Sequence, residues 1–401
     1  MTTTGGTRVA VLGGGLMGCC AALELAERGA SVTLFEREPT LISQASAHGE
    51  AKIHLGYVYA NDRTRATARL LMRGALEFAP FFRRHLADDA ALLPSQPFHY
   101  AVHRDSLLSA DQVADHLAET SNDIRIAAGP ERADYFGFDP AREPRRLSDS
   151  EKAAFFDDET IVAAFETPEI AIATAPLWAL LRERLAADPR IEILTDTDVE
   201  RVGNGGDGLT VYSSAAAEPF DHVLNASWGG RLAIDKTMDL LPDRDWLFRY
   251  KCGIRLPAGA FGEDVVSTTF VLGPFGDIVR YADGSYYLSW YPACMIAKSR
   301  AVEPDLAEAA DTGGIVEESV SALQKLVPGM RGVNSDMLAR ATVKGGIIYA
   351  LGRLDIDHPE SELHHRHAIG LMSLGRYHTV DTGKLTMAPW LARQCAERIL
   401  A

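Results

Sequence analysis

The 401-residue chain has only five cysteines, Cys19, Cys20, Cys252, Cys294 and Cys395. Their number is odd and no C-x-x-C pair occurs, which excludes a disulfide framework and a redox-active dithiol. Thiols serving as small apolar residues in a reducing compartment are expected instead. No apolar run approaches the ~20 residues needed to span a bilayer. The opening MTTTGGT lacks the charge and apolar stretch of a signal peptide, so a cytoplasmic location without membrane insertion is expected. Basic residues are scattered, and the net charge of −15 argues against a nucleic-acid partner. There is no internal repeat or low-complexity tract. What remains is 47% hydrophobic and 24% charged, the balance of an ordinary soluble enzyme with room for two domains. A small-molecule substrate is the expected partner, and homo-oligomerisation is left open.

The chemistry begins at Arg8. Val9 to Leu12 form an apolar run suited to a buried parallel strand. Gly13-Gly14-Gly15-Leu16-Met17-Gly18 then fits G-x-G-x-x-G. Gly13 permits the turn, Gly15 admits a pyrophosphate, and Gly18 lets the next helix pack close. Leu16, Cys19, Leu23 and Ala26 keep helical spacing and predict one apolar face. Gly29 stops the helix. Ser31 to Phe35 is a second strand, ending at Glu36 about 20 residues past the glycines, where a carboxylate accepts ribose hydroxyls. That acid would repel a 2′-phosphate, so NADP is disfavoured. FAD and NAD both remain open from this segment alone.

Further on, Arg63 to His85 reads as a helix. Residues 86–160 are acidic, proline-bearing and weakly periodic. Thr174 is a candidate cap for a helix with Pro176 in its first turn. Ile191 to Leu194 is a strand, followed by a hairpin turning at Gly203 to Gly208 and a strand over Leu209 to Ser213. Asp221 to Ala226 is a short buried strand. Phe248 to Leu256 alternates, and Ile278 to Tyr281 and Tyr286 to Tyr291 flank the turn Ala282-Asp283-Gly284-Ser285. Ile315 to Val327 is an amphipathic helix. The tail gives strands at Gly346 to Leu351 and Ala368 to Ser373, a glycine turn and a last helix to Leu400.

Four segments carry a resemblance: the glycine motif with Glu36, Ser43 to Gly49, Asp221 to Ala226 with Gly229, and Gly375 to Gly383. Together they resemble the D-amino-acid-oxidase-like family of FAD flavoproteins, which includes glycine, sarcosine and D-amino-acid oxidases and 2-hydroxyglutarate dehydrogenases. The resemblance implies an α/β fold with a discontinuous Rossmann-like FAD-binding domain at 1–60, 161–235 and 341–401. It implies an α+β substrate domain with an antiparallel sheet at 61–160 and 236–340. The implied activity is oxidation of a C–N bond of a small amine or amino acid by hydride transfer to flavin N5. A 2-hydroxy-acid dehydrogenase or oxidase is the alternative, because Ile53 to Tyr59 looks like the I-H-x-G-x-Y-Y stretch of the 2-hydroxyglutarate branch. A nicotinamide-binding Rossmann protein is the further alternative.

The FAD contacts implied are Gly13, Gly15, Leu16, Met17, Gly18, Glu36, Arg37, Ser43, Ser46, His48, Gly49, Val199, Ala226, Gly229, Gly352, Thr382, Gly383, Lys384 and Leu385. Ser43 and Ser46 could equally be helix caps. In sarcosine- and dimethylglycine-dehydrogenase-like relatives a histidine near His48 joins the flavin covalently; simple packing beside the ring is the plainer expectation. Backbone amides at 375–383 and the helix after Lys384 would face the flavin pyrimidine edge. His54 is the candidate general base, with Tyr57 and Tyr59 on the substrate side; a hydrogen-bonded core histidine is the plain alternative. Lys52 is read first as a surface lysine, and otherwise as a cation near N5. Arg280 with Tyr281, Tyr286, Tyr287, Trp290 and Tyr291 suits a carboxylate, in competition with Arg249, Arg255 and Arg353; Arg280 and Arg353 are the first choices. His358, His364, His365 and His367 fit no structural zinc spacing, and no metal is expected.

Overall fold

The computed structural model describes residues 6–86, 91–129, 133–306, 312–356 and 358–401. Arg8–Leu12 runs parallel between Ser31–Phe35 and His222–Asn225. Ile191–Leu194 and Tyr377–Asp381 extend the sheet in parallel, and Gly370–Leu374 closes it antiparallel. Val9 to Leu12 are all buried. A central parallel strand is covered on both faces, which is why the run is continuously apolar.

The helix Leu16–Glu27 departs from the expected single apolar face: every residue from Leu16 to Ala26 is buried. It packs against Ala388–Ile399 and Thr174–Ala186 as well as the sheet, so it must be apolar nearly all round. Of its two acids, Glu24 is buried and faces Arg28, Arg84 and His85.

The second sheet has nine strands among the described residues. Its axis is the long strand Trp246–Leu256. Thr342–Leu351 lines one edge of it, and Met295–Ser299 and Tyr286–Trp290 share the other. Gly276–Arg280, Thr268–Val271, His99–His103, Ile161–Glu166 and Arg145–Arg146 follow. The expected hairpin at 282–285 is present, closed by Tyr281 N to Ser285 O at 2.9 Å. One pair, Thr268–Val271 with His99–His103, is parallel.

Several expectations need correction. The strands Ile161–Glu166 and Thr342–Leu351 were assigned to the nucleotide-binding part, but both hydrogen-bond into the second sheet. Within 86–160 lie the helices Ala110–Ala128 and Asp149–Phe155, each opened by a capping box, Ser109 with Gln112 and Ser148 with Glu151. Thr174 is the first helical residue, and Ala173 precedes it with no side-chain cap. The strand Tyr377–Asp381 has no apolar signature because its polar groups are satisfied inside. Asp235 accepts from Tyr377 Oη at 2.7 Å, Thr379 Oγ1 at 3.0 Å, Asn225 Nδ2 at 2.8 Å and Arg231 Nη1 at 3.1 Å.

The helix Ala66–His85 carries an aromatic cluster. Phe78 is fully buried, 5.0 Å from Phe82 and 6.0 Å from Phe136 between ring centres. Phe78→Ala is expected to cost about 3–5 kcal/mol. Urea unfolding should show this as a lower midpoint with an unchanged slope.

Candidate cofactor and substrate site

The glycine turn opens a cleft at the carboxyl ends of the parallel strands, where doubly wound sheets bind ligands. Gly13 has φ +99°, and a Cβ there would lie 2.6 Å from Ser227 Cα. A Cβ on Gly18 would collide with the Gly13 carbonyl. Gly15 differs: its nearest neighbour would be Ser46 Oγ at 3.7 Å, leaving the backbone open to the cleft. Glu36 is fixed by backbone amides, with Oε2 accepting from Gly14 N at 2.7 Å and Oε1 from Glu38 N at 2.9 Å.

The cleft encloses about 1070 Å³, at the top of the ~300–1,000 Å³ range of small-molecule sites. Gly13, Gly15, Glu36, Arg37, Ser43, Ser46, Val199, Ala226 and Gly229 all line it, and it reaches Tyr250 and Ile347 of the second sheet. The Leu16 and Met17 side chains are buried beneath it, and Leu16 N donates to Ser46 Oγ at 3.2 Å. An elongated cleft with glycine backbone at one end and a positioned carboxylate beside it fits a dinucleotide.

His48 ends the short helix Ala45–His48. Arg255 Nη2 donates to the carbonyls of Ala47 and Gly49 at 3.3 and 3.1 Å, so this arginine holds the loop. The strand Lys52–Ile53 then docks on the turn before the last helix. Thr386 Oγ1 accepts from His54 N and donates to Lys52 O, both at 3.1 Å. This contact brings His54 close to Lys384. Gly383, at φ +63°, makes the turn, and Thr382 is buried beside it. Leu385 opens the 3-10 turn that leads into Ala388–Ile399. Gly352 has φ +125°, and a Cβ there would lie 2.8 Å from Glu362 Cβ and 3.1 Å from Leu363 Cδ1.

His54 Nδ1 lies 3.5 Å from Glu169 Oε1. Glu169 is buried and also accepts from Leu55 N at 2.7 Å and Tyr100 Oη at 2.5 Å. Burial and the nearby Lys384 ammonium lower the His54 pKa despite the carboxylate, so the ring is neutral at pH 7. Burial opposes ionisation of Glu169, but His54, Lys52 and Tyr100 overcome it and keep the carboxyl low. The Tyr59 hydroxyl is buried with no hydrogen-bond partner among the described residues. Tyr57 packs edge-on to Tyr100.

Lys52 is not a surface lysine. It is 3% exposed, held by Asp277 at 2.8 Å and by Thr269, with its ammonium 4.3 Å from the Phe98 ring centre. Lys384, Lys251 and Lys52 surround Glu50 and together outweigh its burial, keeping its carboxyl low. Arg366 is buried near Arg249, Tyr59, Asp381 and Tyr291. Arg249 Nη1 donates to Tyr291 Oη at 2.9 Å and Asp355 Oδ1 at 3.1 Å.

Arg280 and Arg353 are not brought to this cluster. Arg280 donates to the Glu263 carbonyl at 3.2 Å, where strand alternation turns it outward. Arg353 lies past the end of its strand, 66% exposed and 3.2 Å from Asp245. Glu50, Glu169, Lys251 and Arg366 are the charged groups that sequence reasoning missed. None belongs to a motif, and Arg366 sits inside the histidine-rich stretch read as a polar loop.

Burial lowers the Lys384 pKa to about 8, with Arg366, Lys251 and Lys52 adding to the shift and Glu50 opposing it. A lysine depressed in the fold binds fewer protons than in the unfolded chain, so its penalty on stability is relieved as pH rises above about 8. Competitive acylation of the flavin-free protein should show Lys384 titrating near 8, against ~10.4 for exposed lysines. A midpoint near the exposed value would contradict this environment.

The sequence matches the FAD dependent oxidoreductase family over residues 8–398. No curated protein matches it significantly. The fold is similar to glycine oxidase from Geobacillus kaustophilus, with TM-score 0.69 and 16% identity over 98% of this chain and 95% of that one. It is also similar to NikD, an unusual amino acid oxidase, with TM-score 0.70 and 15% identity over 99% and 94%. L-alpha-glycerophosphate oxidase from Mycoplasma pneumoniae, solved with FAD bound, gives TM-score 0.67 and 16% identity over 98% and 94%. The glycine turn, the positioned Glu36 and the full-length family match lead to one assignment: the chain belongs to the D-amino-acid-oxidase family of FAD-dependent oxidoreductases.

Proposed function

We propose that this oxidoreductase acts on a small amino acid or amine that carries a carboxylate, breaking the C–H bond next to nitrogen. One observation carries the proposal: Lys384, Lys251 and Lys52 gather around the half-buried carboxylate Glu50, and the buried Arg366 lies on the other side of Lys384. Such a frame suits a zwitterion. The cations take the substrate carboxylate, with Arg366 the first choice for its paired donors, and Glu50 accepts from the amine.

When bound, FAD supplies the two-electron acceptor that takes the hydride. Glu36 would hold the adenosine ribose, and Gly13, Gly15 and Gly18 would let the pyrophosphate approach. Ser43, Ser46, Val199, Ala226 and Gly229 would line the cofactor's length. Thr382 to Leu385 would set amides and the Lys384 ammonium where negative charge develops. His48 and Gly49 would pack alongside. Tyr57 and Tyr59 would wall the substrate pocket.

The two-fold polarity of the pocket leaves one second reading with its own support. His54 is neutral and backed by Glu169 at 3.5 Å, which suits removal of a hydroxyl proton from a 2-hydroxy acid. Oxidation of an amine in its neutral form needs no comparable base. His54→Gln therefore separates the two: a 10²–10⁴-fold loss is expected for a hydroxy acid, and less than about tenfold for an amine.

Anaerobic mixing of the flavin-loaded protein with amino acids, N-methyl amino acids and 2-hydroxy acids should bleach the flavin only with the true class. Bleaching by 2-hydroxy acids alone would overturn the amine reading. Arg366→Met should lower kcat/KM for the carboxylate substrate by about 10–100-fold, the worth of a charged hydrogen bond. The flavin spectrum should stay unchanged.

A further inference from the structure

Outside the flavin site, three ligand-bearing side chains from opposite ends of the chain meet. The donor atoms of Asp62, His365 and His367 all lie within 4.8 Å of one another. His367 Nδ1 is 3.7 Å from Asp62 Oδ2. The two imidazoles are 6.1 Å apart between centres and tilted by 53°. Asp62 is fully buried, while both histidines are exposed and open to solvent.

The surrounding bonds fix this arrangement before any ligand arrives. Asp62 Oδ1 accepts from Thr64 N at 3.0 Å and Thr64 Oγ1 at 2.6 Å, and Oδ2 accepts from Thr67 N at 3.0 Å. Two cross-links tie this segment to the histidine loop: Asn61 Nδ2 to Pro359 O at 3.0 Å, and Arg366 N to Thr67 Oγ1 at 2.9 Å. These bonds hold the Asp62 carboxyl group against the two imidazoles.

We propose that Asp62, His365 and His367 form a divalent transition-metal site that takes Zn²⁺. Two imidazoles and a carboxylate suit zinc, and two nitrogen donors disfavour calcium and magnesium. Zinc bonds of ~2.0–2.2 Å at tetrahedral angles put ligand atoms about 3.4 Å apart. The donors here must close by at most about 1.4 Å, which rotation of two exposed side chains supplies. Water fills the remaining position. The metal would clamp the start of the helix Ala66–His85 to the loop that carries Arg366 between its two histidine ligands. The site depends on no assumption about the flavin substrate.

The test is calorimetric titration of the untagged, flavin-loaded protein with ZnCl₂, paired with thermal unfolding. One Zn²⁺ per chain and a raised Tm are expected. His365→Ala and His367→Ala should each weaken binding at least about tenfold, since even outer-shell partners of a metal are worth 10–100-fold. Both replace exposed side chains, and an unchanged flavin spectrum verifies that the variants fold. Absence of binding to the parent protein would leave only an Asp62–His367 ion pair and overturn the proposal. Undiminished binding in either variant would overturn it as well.

Discussion

The site rests on one hydroxyl. Thr386 Oγ1, fully buried, accepts from His54 N and donates to the Lys52 carbonyl. A threonine hydroxyl has one proton and two lone pairs, so this pairing orders both neighbours at once. It pins the segment carrying Glu50, Lys52 and His54 to the turn carrying Lys384, across more than three hundred residues of sequence. Without it, His54 would lose its place between Glu169 and Lys384.

That pinning draws many charges into a small volume. Lone buried charges are costly, and the structure answers by pairing. Lys52 is held by Asp277 and Thr269, Arg249 by Asp355 and Tyr291, and Glu169 by Leu55 N and Tyr100. Among the described residues, the Arg366 side chain donates from Nε to the Leu363 carbonyl at 3.1 Å. Its excess of positive potential is what a substrate carboxylate would relieve. Lys384 is depressed first by burial, and three further cations add to that against the pull of Glu50.

The cofactor end was legible because its chemistry is local. A strand, three glycines, a helix, a strand and an acid occupy Arg8 to Glu36, and each has a backbone reason to be the residue it is. The substrate end was legible only in part. His54 and Tyr57 were named from a short stretch that does lie at the cluster. Arg280 is suggested by its tyrosine neighbours and Arg353 by the family resemblance, and both turn outward to acids. The strand Tyr377–Asp381 escaped notice because Asp235, far away in sequence, satisfies its polar side chains.

The sequence by itself determined the strand, glycine turn, helix and strand from Arg8 to Phe35 with Glu36 at their end, and the hairpin at 282–285 of the second sheet, since these depend on contacts within a few tens of residues. Only the tertiary structure decided which cations gather around Glu50, that Lys52 is buried, and that Asp62 meets His365 and His367. Each of these joins groups separated by a hundred residues or more. Neither periodicity nor spacing encodes such a meeting; it follows from how the two sheets pack and where the last turn docks on the strand Lys52–Ile53.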